Sequence, residues 1–293
     1  MKNAFNTILI ILTLATVFSF SCFNFKKFSG SDHGKDTPKK WGYDYKEISF
    51  FTKDSVLISA WEILQDKNKP WIIIVPGFED NKSDDKVRLT VKRLGPFKYN
   101  MLLPDPRGFG KSGGVTSFGI LEQNDILAAV KHIRKKHKTK IGLVGYSQGA
   151  SASILAAADS KEVSGLVLWA PYADFEKEID FFLKWKFAGS KNKMIIWARK
   201  NPAKVKNLYE NFYRVKLDKN KPSDRIKNIN YEILLGHGTD DTLIPYSNAN
   251  ELLKADKKII FFKSTGGHSF YGINLHERIR FLDLTAVYFE RNL

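Results

Sequence analysis

The stretch Gly145-Tyr-Ser-Gln-Gly149 lies between an apolar run at residues 140–144 and an alanine-rich segment at residues 150–158. The apolar run is typical of a strand that is covered on both faces, and the alanine-rich segment is typical of a helix that packs closely on a sheet. A serine between two glycines at such a junction lies in a strained turn that projects its hydroxyl above the sheet. The sequence therefore predicts a strand, a turn that presents Ser147 as a nucleophile, and a helix.

The rest of the chain alternates between strand-like runs and helical patterns. Residues 45–51 and 56–64 surround a turn and predict a β-hairpin. Further strand-like runs lie at residues 71–75, 100–103, 165–169, 231–235 and 258–262, and helical patterns lie at residues 124–136, 247–253 and 275–289. Strands that alternate with helices form a mostly parallel central sheet flanked by helices, so the predicted fold class is α/β.

A serine hydroxyl is a poor nucleophile at neutral pH and needs an oriented general base. His268 follows the last predicted strand in a glycine-rich loop and is the candidate base. The candidate acid that orients it is Asp241 or its neighbour Asp240, which follow the preceding strand. His237 lies too close to these aspartates in sequence to reach Ser147 independently, so we interpret it as a structural residue of the loop.

Acyl transfer also requires two backbone N–H groups that stabilise the oxyanion. One is expected from Gln148, directly after the nucleophile. The second is expected from the loop after the strand at residues 71–75. Phe78 is the candidate in that loop, because Gly77 gives the turn in front of it conformational freedom.

The chain resembles the α/β-hydrolase superfamily over about residues 45–293. In that superfamily a D-x-R-G-x-G-x-S segment, the G-x-S-x-G turn, an H-G-x-x-D-x-x-[VI]-P loop and a terminal G-x-H motif follow one another. This chain carries them at residues 105–112, 145–149, 237–245 and 266–268.

The resemblance implies an α/β-hydrolase fold over residues 43–293 and selects Asp241 rather than Asp240 as the acid. It also implies that Asp105 and Arg107 brace their loop. Pro76 stands where the superfamily usually has a histidine, which changes the support around the second oxyanion donor. The chain is similar to bacterial membrane-attached hydrolases described as peptidase-like or acyl-hydrolase proteins.

Residues 172–230 separate two predicted strands by far more than an ordinary connection. Basic residues outnumber acidic ones there by about two to one, and aromatic residues are interleaved with them. We interpret this segment as a helical cap inserted at the carboxyl edge of the sheet. Its aromatic residues suggest an apolar acyl group or form the cap's own core, and its basic surface suggests an anionic head group or a lipid surface.

The first 25 residues have the pattern of a targeting signal rather than of a folded element. Lys2 precedes an apolar run at residues 8–23, which ends before two lysines. Cys22 stands where a bacterial lipoprotein signal places its lipidated cysteine. An uncleaved anchor at residues 5–25 and a cleaved secretory signal are the alternatives, and a cytosolic protein with a merely hydrophobic start is the remaining one. We therefore expect export or attachment to the membrane, with residues 26–42 as a polar tether.

The composition limits the classes of partner. The formal net charge is +16 with a pI near 9.6, which favours anionic partners or reflects a basic, solvated surface. No nucleic-acid recognition motif is present, and Asp105 occupies the position where a phosphate-binding loop ending at Ser112 would need glycine. The six histidines are scattered, so neither a metal nor another cofactor is expected. The sequence does not indicate an oligomeric state.

Together these features predict a serine hydrolase that cleaves a carboxylic ester or thioester of a small-molecule substrate through an acyl-enzyme intermediate. A peptidase or amidase with the same triad is an alternative, because the leaving group depends on the shape of the cap. A non-catalytic module that binds a membrane surface on a hydrolase scaffold is a third hypothesis, and the complete set of Ser147, His268 and Asp241 argues against it.

Overall fold

The computed structural model describes residues 36–186, 188–255, 258–268 and 273–293, apart from the side chains of Phe182, Trp185 and Lys186. The signal or anchor predicted at residues 1–25 lies outside the described residues, as does the predicted tether up to residue 35. Residues 36–42 form turns, and the buried ring of Trp41 contacts Trp61 edge to face at a centroid distance of 5.8 Å. This end of the predicted tether therefore packs against the sheet.

One eight-stranded sheet forms the centre of the fold. Its strands are β1 (Lys46–Phe51), β2 (Leu57–Ile63), β3 (Trp71–Val75), β4 (Asn100–Pro104), β5 (Ile141–Tyr146), β6 (Val163–Trp169), β7 (Ile233–Gly238) and β8 (Ile259–Ser264). They lie in the order β1-β2-β4-β3-β5-β6-β7-β8. Strand β2 runs antiparallel to β1 and β4, and the remaining neighbours are parallel. The predicted hairpin is observed as β1 and β2.

Nine α-helices connect these strands or follow them in the described residues. They are α1 (Asp85–Leu94), α2 (Glu122–Arg134), α3 (Gln148–Asp159), α4 (Phe175–Lys186), α5 (Lys193–Lys200), α6 (Pro202–Tyr213), α7 (Pro222–Arg225), α8 (Ser247–Ala255) and α9 (Leu275–Asn292). Short 3₁₀ turns lie at Gly95–Phe97, Asp218–Asn220 and Ile226–Asn228.

Both faces of the sheet are covered by helices. Along β3, Ile73 belongs to a core cluster that includes side chains of α2 and α3. Ile72 and Ile74 point the other way, into a second cluster with side chains of α1 and α9. A parallel sheet that is buried on both faces needs apolar side chains at successive positions, which explains the continuous apolar runs in the sequence. The predicted fold class, a mostly parallel sheet flanked by helices, is confirmed.

Asp174–Lys221 form a compact unit of their own, which we call the inserted unit. It contains α4, α5 and α6. Within it the rings of Phe175 and Tyr209 lie 5.2 Å apart, and Asn192 caps α5 by accepting a hydrogen bond from the Met194 N–H at 2.9 Å. The sequence predicts this insertion at residues 172–230, whereas residues 172–173 and 222–230 belong to the other compact unit, which contains the sheet.

Helix α1 is absent from the sequence prediction. It begins after Asp84, whose carboxylate accepts a hydrogen bond from the Lys86 N–H at 2.9 Å. Its buried side chains Val87, Val91 and Leu94 recur at helical spacing. Three basic residues, Arg88, Lys92 and Arg93, lie between them, so the segment has no continuous apolar run.

Candidate active site

Ser147 lies at the junction that the sequence predicts, between the end of β5 and the first residue of α3. Its backbone has φ of 53° and ψ of −121°, a conformation that side-chain-bearing residues rarely adopt. The flanking glycines are required by close backbone contacts. A Cβ atom on Gly145 would lie 2.6 Å from the Ala150 Cα, and one on Gly149 would lie 2.1 Å from the Pro76 carbonyl oxygen. The strained turn therefore depends on both glycines.

The structure brings His268 between Ser147 and Asp241. Nε2 of His268 lies 2.8 Å from the Ser147 hydroxyl, and Nδ1 lies 2.8 Å from a carboxylate oxygen of Asp241. The loop after β8 carries the histidine, and the loop after β7 carries the aspartate. The three side chains come from the carboxyl ends of three parallel strands, which meet at one edge of the sheet.

Asp241 is buried, and its carboxylate is fully engaged. One oxygen accepts the N–H groups of Leu243 and Ile244 at 2.9 and 2.8 Å, and the other faces His268. Burial opposes ionisation, but hydrogen bonds from His237 and His268 lower the pKa of Asp241 to about 2. Asp241 is therefore ionised at neutral pH. The neutral imidazole tautomer that carries its hydrogen on Nδ1 donates to this carboxylate, and Nε2 of that tautomer can accept the serine proton.

Asp240 and His237, the other polar side chains of this loop, do not reach Ser147. Asp240 is exposed, and its N–H donates to the Gly266 carbonyl. His237 is completely buried, with Nε2 at 2.9 Å from the Ile244 carbonyl oxygen and 3.3 Å from the Asp241 carboxylate. His237 therefore holds the loop that presents Asp241.

The segments that carry the two predicted oxyanion donors adjoin the nucleophile. Gln148 is the first residue of α3, where a backbone N–H has no acceptor within the helix. Gly77 passes so close to the nucleophile that a Cβ atom on it would lie 3.3 Å from the Ser147 Cβ, and Phe78 follows directly. The structure thus places both backbone segments beside Ser147.

Asp80 braces the loop that carries Phe78. Its carboxylate accepts the Gly77 N–H at 3.1 Å and pairs with the Lys86 ammonium at 2.8 Å. Burial raises the pKa of Asp80, and the neighbouring Asp84 carboxylate acts in the same direction. The usual histidine of the superfamily is replaced here by Pro76, so the loop takes its support from Asp80.

Asp105 braces the same region from the loop after β4. Its carboxylate accepts the N–H groups of Lys82 and Lys111 at 2.9 and 2.8 Å and pairs with the buried Lys82 ammonium. A Cβ atom on Gly110 would lie within 2.4 Å of the carboxylate, so the loop wraps tightly around Asp105. This arrangement agrees with the structural role that the resemblance implies.

Arg107 connects two more carboxylates to this loop. Its guanidinium donates to Asp54 at 2.7 and 3.1 Å and to Asp125 at 2.9 and 2.7 Å. Burial raises the energy of each isolated charge, and the bidentate pairs compensate for that cost. Arg107 therefore holds the β1–β2 turn, the β4 loop and helix α2 together.

Glu122 was not recognised in the sequence, although its carboxylate organises the loop before α2. It is buried and accepts hydrogen bonds from the Gln148 side-chain amide at 3.1 Å, from Thr116, and from the N–H groups of Ser117 and Gly119. The only available signal was a glutamate at a helix start, which predicts capping but not contact with a second segment.

A cavity of about 360 Å³ lies within the inserted unit, and none of the predicted site residues lines it. Apolar side chains such as Leu183 and Leu217 line it together with two ion pairs. Asp174 pairs with Lys221 at 2.8 Å, and Glu176 pairs with Lys206 at 2.7 Å.

Two further features are absent from the part of the chain that the structure describes. No group of three or more histidine, cysteine, aspartate or glutamate side chains there is arranged to hold a metal ion. Across the same residues, no helix combines the length and the hydrophobicity that a membrane span requires.

The chain is similar in sequence to known proteins. The chain is 27% identical to the uncharacterized protein YqkD of Bacillus subtilis over 186 residues, which are 61% of this chain and 59% of YqkD. The match thus spans less than two thirds of that relative.

Solved structures share the fold. The Pyrococcus furiosus esterase Pf2001 superposes with a TM-score of 0.67 at 22% identity, covering 87% of this chain and 96% of the esterase. The Pyrococcus horikoshii acylaminoacyl peptidase superposes with a TM-score of 0.63 at 18% identity, covering 86% of this chain and 42% of the peptidase.

A family model described as serine aminopeptidase S33 matches residues 66–223, more than half of the chain. These residues include the strained serine turn and both segments that flank it. The chain therefore belongs to the serine aminopeptidase S33 family of the α/β-hydrolase superfamily.

Proposed function

We propose that this protein is a serine hydrolase that cleaves a carboxylic ester or thioester through an acyl-enzyme intermediate. The observation that carries the proposal is the continuous hydrogen-bonded line from the Ser147 hydroxyl through His268 to Asp241, with 2.8 Å at each step. A strained turn that holds the serine, and an ionised carboxylate that holds the histidine, are the two conditions that this chemistry needs.

In the first half of the reaction, the Ser147 oxygen attacks the carbonyl carbon while its proton passes to Nε2 of His268. The N–H groups of Gln148 and Phe78 stabilise the oxyanion. The bond to the leaving group then breaks, and His268 returns the proton to the departing alcohol or thiol. The acyl group remains esterified to Ser147.

In the second half, water attacks the acyl-enzyme and gives a proton to His268. The ester bond to Ser147 breaks, the carboxylic acid departs and the serine regains its proton from the histidine. Asp241 stays ionised throughout and stabilises the imidazolium that forms twice in each cycle.

The proposal is tested by labelling the full-length protein, solubilised in mild detergent, with a fluorophosphonate probe. We expect labelling of the wild-type protein and none of a Ser147→Ala variant that has the same circular dichroism spectrum. Hydrolysis of p-nitrophenyl acetate should disappear in the same variant. A folded wild-type protein that neither reacts with the probe nor hydrolyses any ester would contradict the proposal and favour the non-catalytic, membrane-binding hypothesis.

Amide or peptide cleavage by the same triad is the second candidate, and the description of the family as a serine aminopeptidase supports it. An amine is a poorer leaving group than an alcohol, so the rate of this reaction depends more strongly on proton transfer from His268 to the leaving group. Turnover of aminoacyl p-nitroanilides and p-nitrophenyl esters by one preparation separates the two reactions. A kcat/KM that favours the anilides, and vanishes in Ser147→Ala, would assign the protein as a peptidase.

We further propose that the N-terminal segment attaches the protein to the membrane of the bacterial cell envelope. Support comes from the basic start, the apolar run at residues 8–23 and the position of Cys22. Lipidation predicts incorporation of labelled palmitate that is lost in a Cys22→Ala variant. Membrane fractionation without palmitate would favour an anchor at residues 5–25, and a protein found in the cytosol would contradict attachment.

A further inference from the structure

Three phenylalanine rings lie next to one another at the loop that carries Phe78, the second proposed oxyanion donor. We call these three rings the aromatic shelf, and we call that loop the oxyanion loop. The rings of Phe78 and Phe118 stack with centroids 5.2 Å apart and planes inclined by 28°. Phe109 contacts Phe78 edge to face at 5.5 Å. Phe109 is buried, whereas Phe78 and Phe118 keep part of their surface exposed. The shelf thus combines a fixed base with two partly exposed rings.

The two partly exposed rings, those of Phe78 and Phe118, belong to backbone segments that contact the strained turn at Ser147. Phe78 follows Gly77, where a Cβ atom would lie 3.3 Å from the Ser147 Cβ. Phe118 precedes Gly119, where a Cβ atom would lie 3.1 Å from the Gln148 carbonyl oxygen. The shelf therefore adjoins the point where a substrate carbonyl would meet the serine.

The backbone of Phe118 is held in a conformation that an aromatic residue rarely adopts. Its φ is 57°, in the left-handed region, which is strained for a residue that carries a side chain. The Glu122 carboxylate accepts the N–H groups on both sides of it, from Ser117 at 2.8 Å and Gly119 at 2.9 Å, and Tyr172 donates to its carbonyl at 2.9 Å. Strain that is fixed from several directions in this way is concentrated at functional sites.

The strand order decides which part of an ester would meet the shelf. Ser147 follows β5, the shelf residues follow β3 and β4 on one side of it, and His268 follows β8 on the other side. The leaving group must lie near His268, because the histidine returns a proton to it. The acyl group is the substituent that faces away from His268, and the shelf also lies on the side of Ser147 away from the strand that carries His268. The strand order therefore favours the acyl group, rather than the leaving group, as the part that meets the shelf.

We propose that the aromatic shelf binds the acyl group of the substrate and that Phe118 determines a preference for a bulky apolar acyl group. This inference rests on the proposed serine hydrolase function and names the substrate class of that site. An acetyl group is too small to cover the two rings, whereas a phenyl or medium-length alkyl group buries apolar surface against them. Phe118 is a specificity-determining residue, and the acid released is a bulky apolar carboxylic acid.

The test compares kcat/KM of the full-length protein for three p-nitrophenyl esters, the acetate, the hexanoate and the phenylacetate. We expect the wild type to prefer at least one of the bulky esters to the acetate. Phe118→Ala should reduce that selectivity ratio by about 10-fold or more. The ester whose ratio falls further identifies the group as alkyl or aryl. Phe51→Ala is the matched control, because that ring is 69% exposed on β1 and its loss should leave the ratio unchanged.

Two outcomes would overturn the proposal. One is an equal ratio in wild type and Phe118→Ala. The other is a loss that follows the alcohol rather than the acyl group, measured with methyl and benzyl acetate. If Phe118→Ala fails to fold by circular dichroism, Phe118→Leu replaces it, since leucine keeps apolar volume but removes the flat ring. A phenylacetate ratio that Phe118→Leu leaves unchanged would then reject the assignment of an aryl group to this ring.

A binding measurement separates failure of the shelf from failure of the hydrolase function. Calorimetry compares the affinities of acetate, hexanoate and phenylacetate for the wild type and for Phe118→Ala. Tighter binding of a bulky acid that is lost in the variant supports the shelf, even in a protein that hydrolyses no ester and reacts with no fluorophosphonate. Equal affinity for all three acids would overturn the shelf, even in an active esterase.

Discussion

The buried carboxylate of Glu122 accepts a hydrogen bond from the side-chain amide of Gln148 at 3.1 Å. Gln148 follows the nucleophile, and its backbone N–H is the first proposed oxyanion donor. The same carboxylate accepts the N–H groups of Ser117 and Gly119. One charge thus fixes both the residue after the serine and the loop that carries Phe118, so Glu122 acts as a positioning residue.

Replacing Glu122 with glutamine should lower kcat by about 10-fold with little change in KM. A glutamine has one acceptor oxygen and places an amide against donors, so the Gln148 side chain and the loop lose their common partner. Loss of a direct oxyanion donor costs 100-fold or more, and an indirect displacement should cost less. Steady-state kinetics on p-nitrophenyl acetate measures the split between kcat and KM.

The matched control for this change is Glu47→Gln. Glu47 lies on β1 with an exposed side chain that pairs with Lys111 at 3.4 Å. Surface pairs contribute little to stability, so the control should keep both kinetic constants. Equal effects of the two substitutions, or an increase in KM alone for Glu122→Gln, would reject the positioning role.

An Asp241→Asn variant should lose about 10⁴-fold in kcat while it keeps the fold, as expected when the carboxylate of such a triad becomes an amide. The asparagine can turn its NH₂ group towards His268, which then presents the wrong tautomer to Ser147. Asp240→Asn is the control, because that side chain is exposed and does not face His268. Similar losses in the two variants would show that the negative charge of the loop matters rather than the contact.

Asp241 should also contribute a stability that depends on pH. Its pKa is about 2 in the folded protein, below the value near 3.9 of an unfolded aspartate. A lowered pKa stabilises the fold fully above about pH 4, and that contribution is lost as the pH falls towards 2. The difference in unfolding free energy between wild type and Asp241→Asn should therefore shrink by about 2 kcal/mol from pH 5 to pH 2. Urea titrations at both values measure it, and a difference that is independent of pH would contradict the assignment.

The elements around the nucleophile could be predicted because their determinants are local. The glycines at 145 and 149 are required by contacts within the turn and with the neighbouring strand, and a continuous apolar run indicates a strand buried on both faces. Ser147, Asp241 and His268 each follow a predicted strand, which places them at one edge of a parallel sheet, and the resemblance to the superfamily distinguishes Asp241 from Asp240. These features depend on residue type and spacing, which a single sequence contains.

The supporting network could not be predicted, because it depends on contacts between loops that are distant in sequence. Glu122 has the local pattern of a helix cap, and only the fold brings Gln148 to it. The shelf combines rings from two loops whose separation the sequence does not encode in a recognisable motif. Helix α1 has no continuous apolar run that would indicate it, because three basic residues lie between its buried apolar side chains.

Removing the Asp80 carboxylate should weaken the oxyanion loop. In Asp80→Ala the Gly77 N–H loses its acceptor and Lys86 loses a partner, so the Phe78 N–H is held less firmly beside Ser147. We expect kcat to fall by about 10-fold with KM nearly constant. Asp85→Ala is the control, since that side chain is exposed at the start of α1 and pairs only at the surface with Arg88. A fall in stability without a fall in kcat of the folded fraction would reject a role in the oxyanion loop.

Gly149→Ala should destabilise the protein by several kcal/mol and abolish fluorophosphonate labelling. A Cβ atom there would lie 2.1 Å from the Pro76 carbonyl oxygen and 2.6 Å from that of Val75, and both are backbone atoms that cannot rotate away. Either the nucleophile turn or the loop after β3 must shift, and both carry oxyanion donors. Gly189→Ala is the matched control, because a Cβ atom on Gly189 meets nothing within 4 Å. Urea unfolding measures the stability of the two variants, and fluorophosphonate labelling measures the reactivity of Ser147. Labelling of Gly149→Ala at the wild-type rate would contradict the prediction, because the turn would then tolerate a side chain where the structure leaves no room.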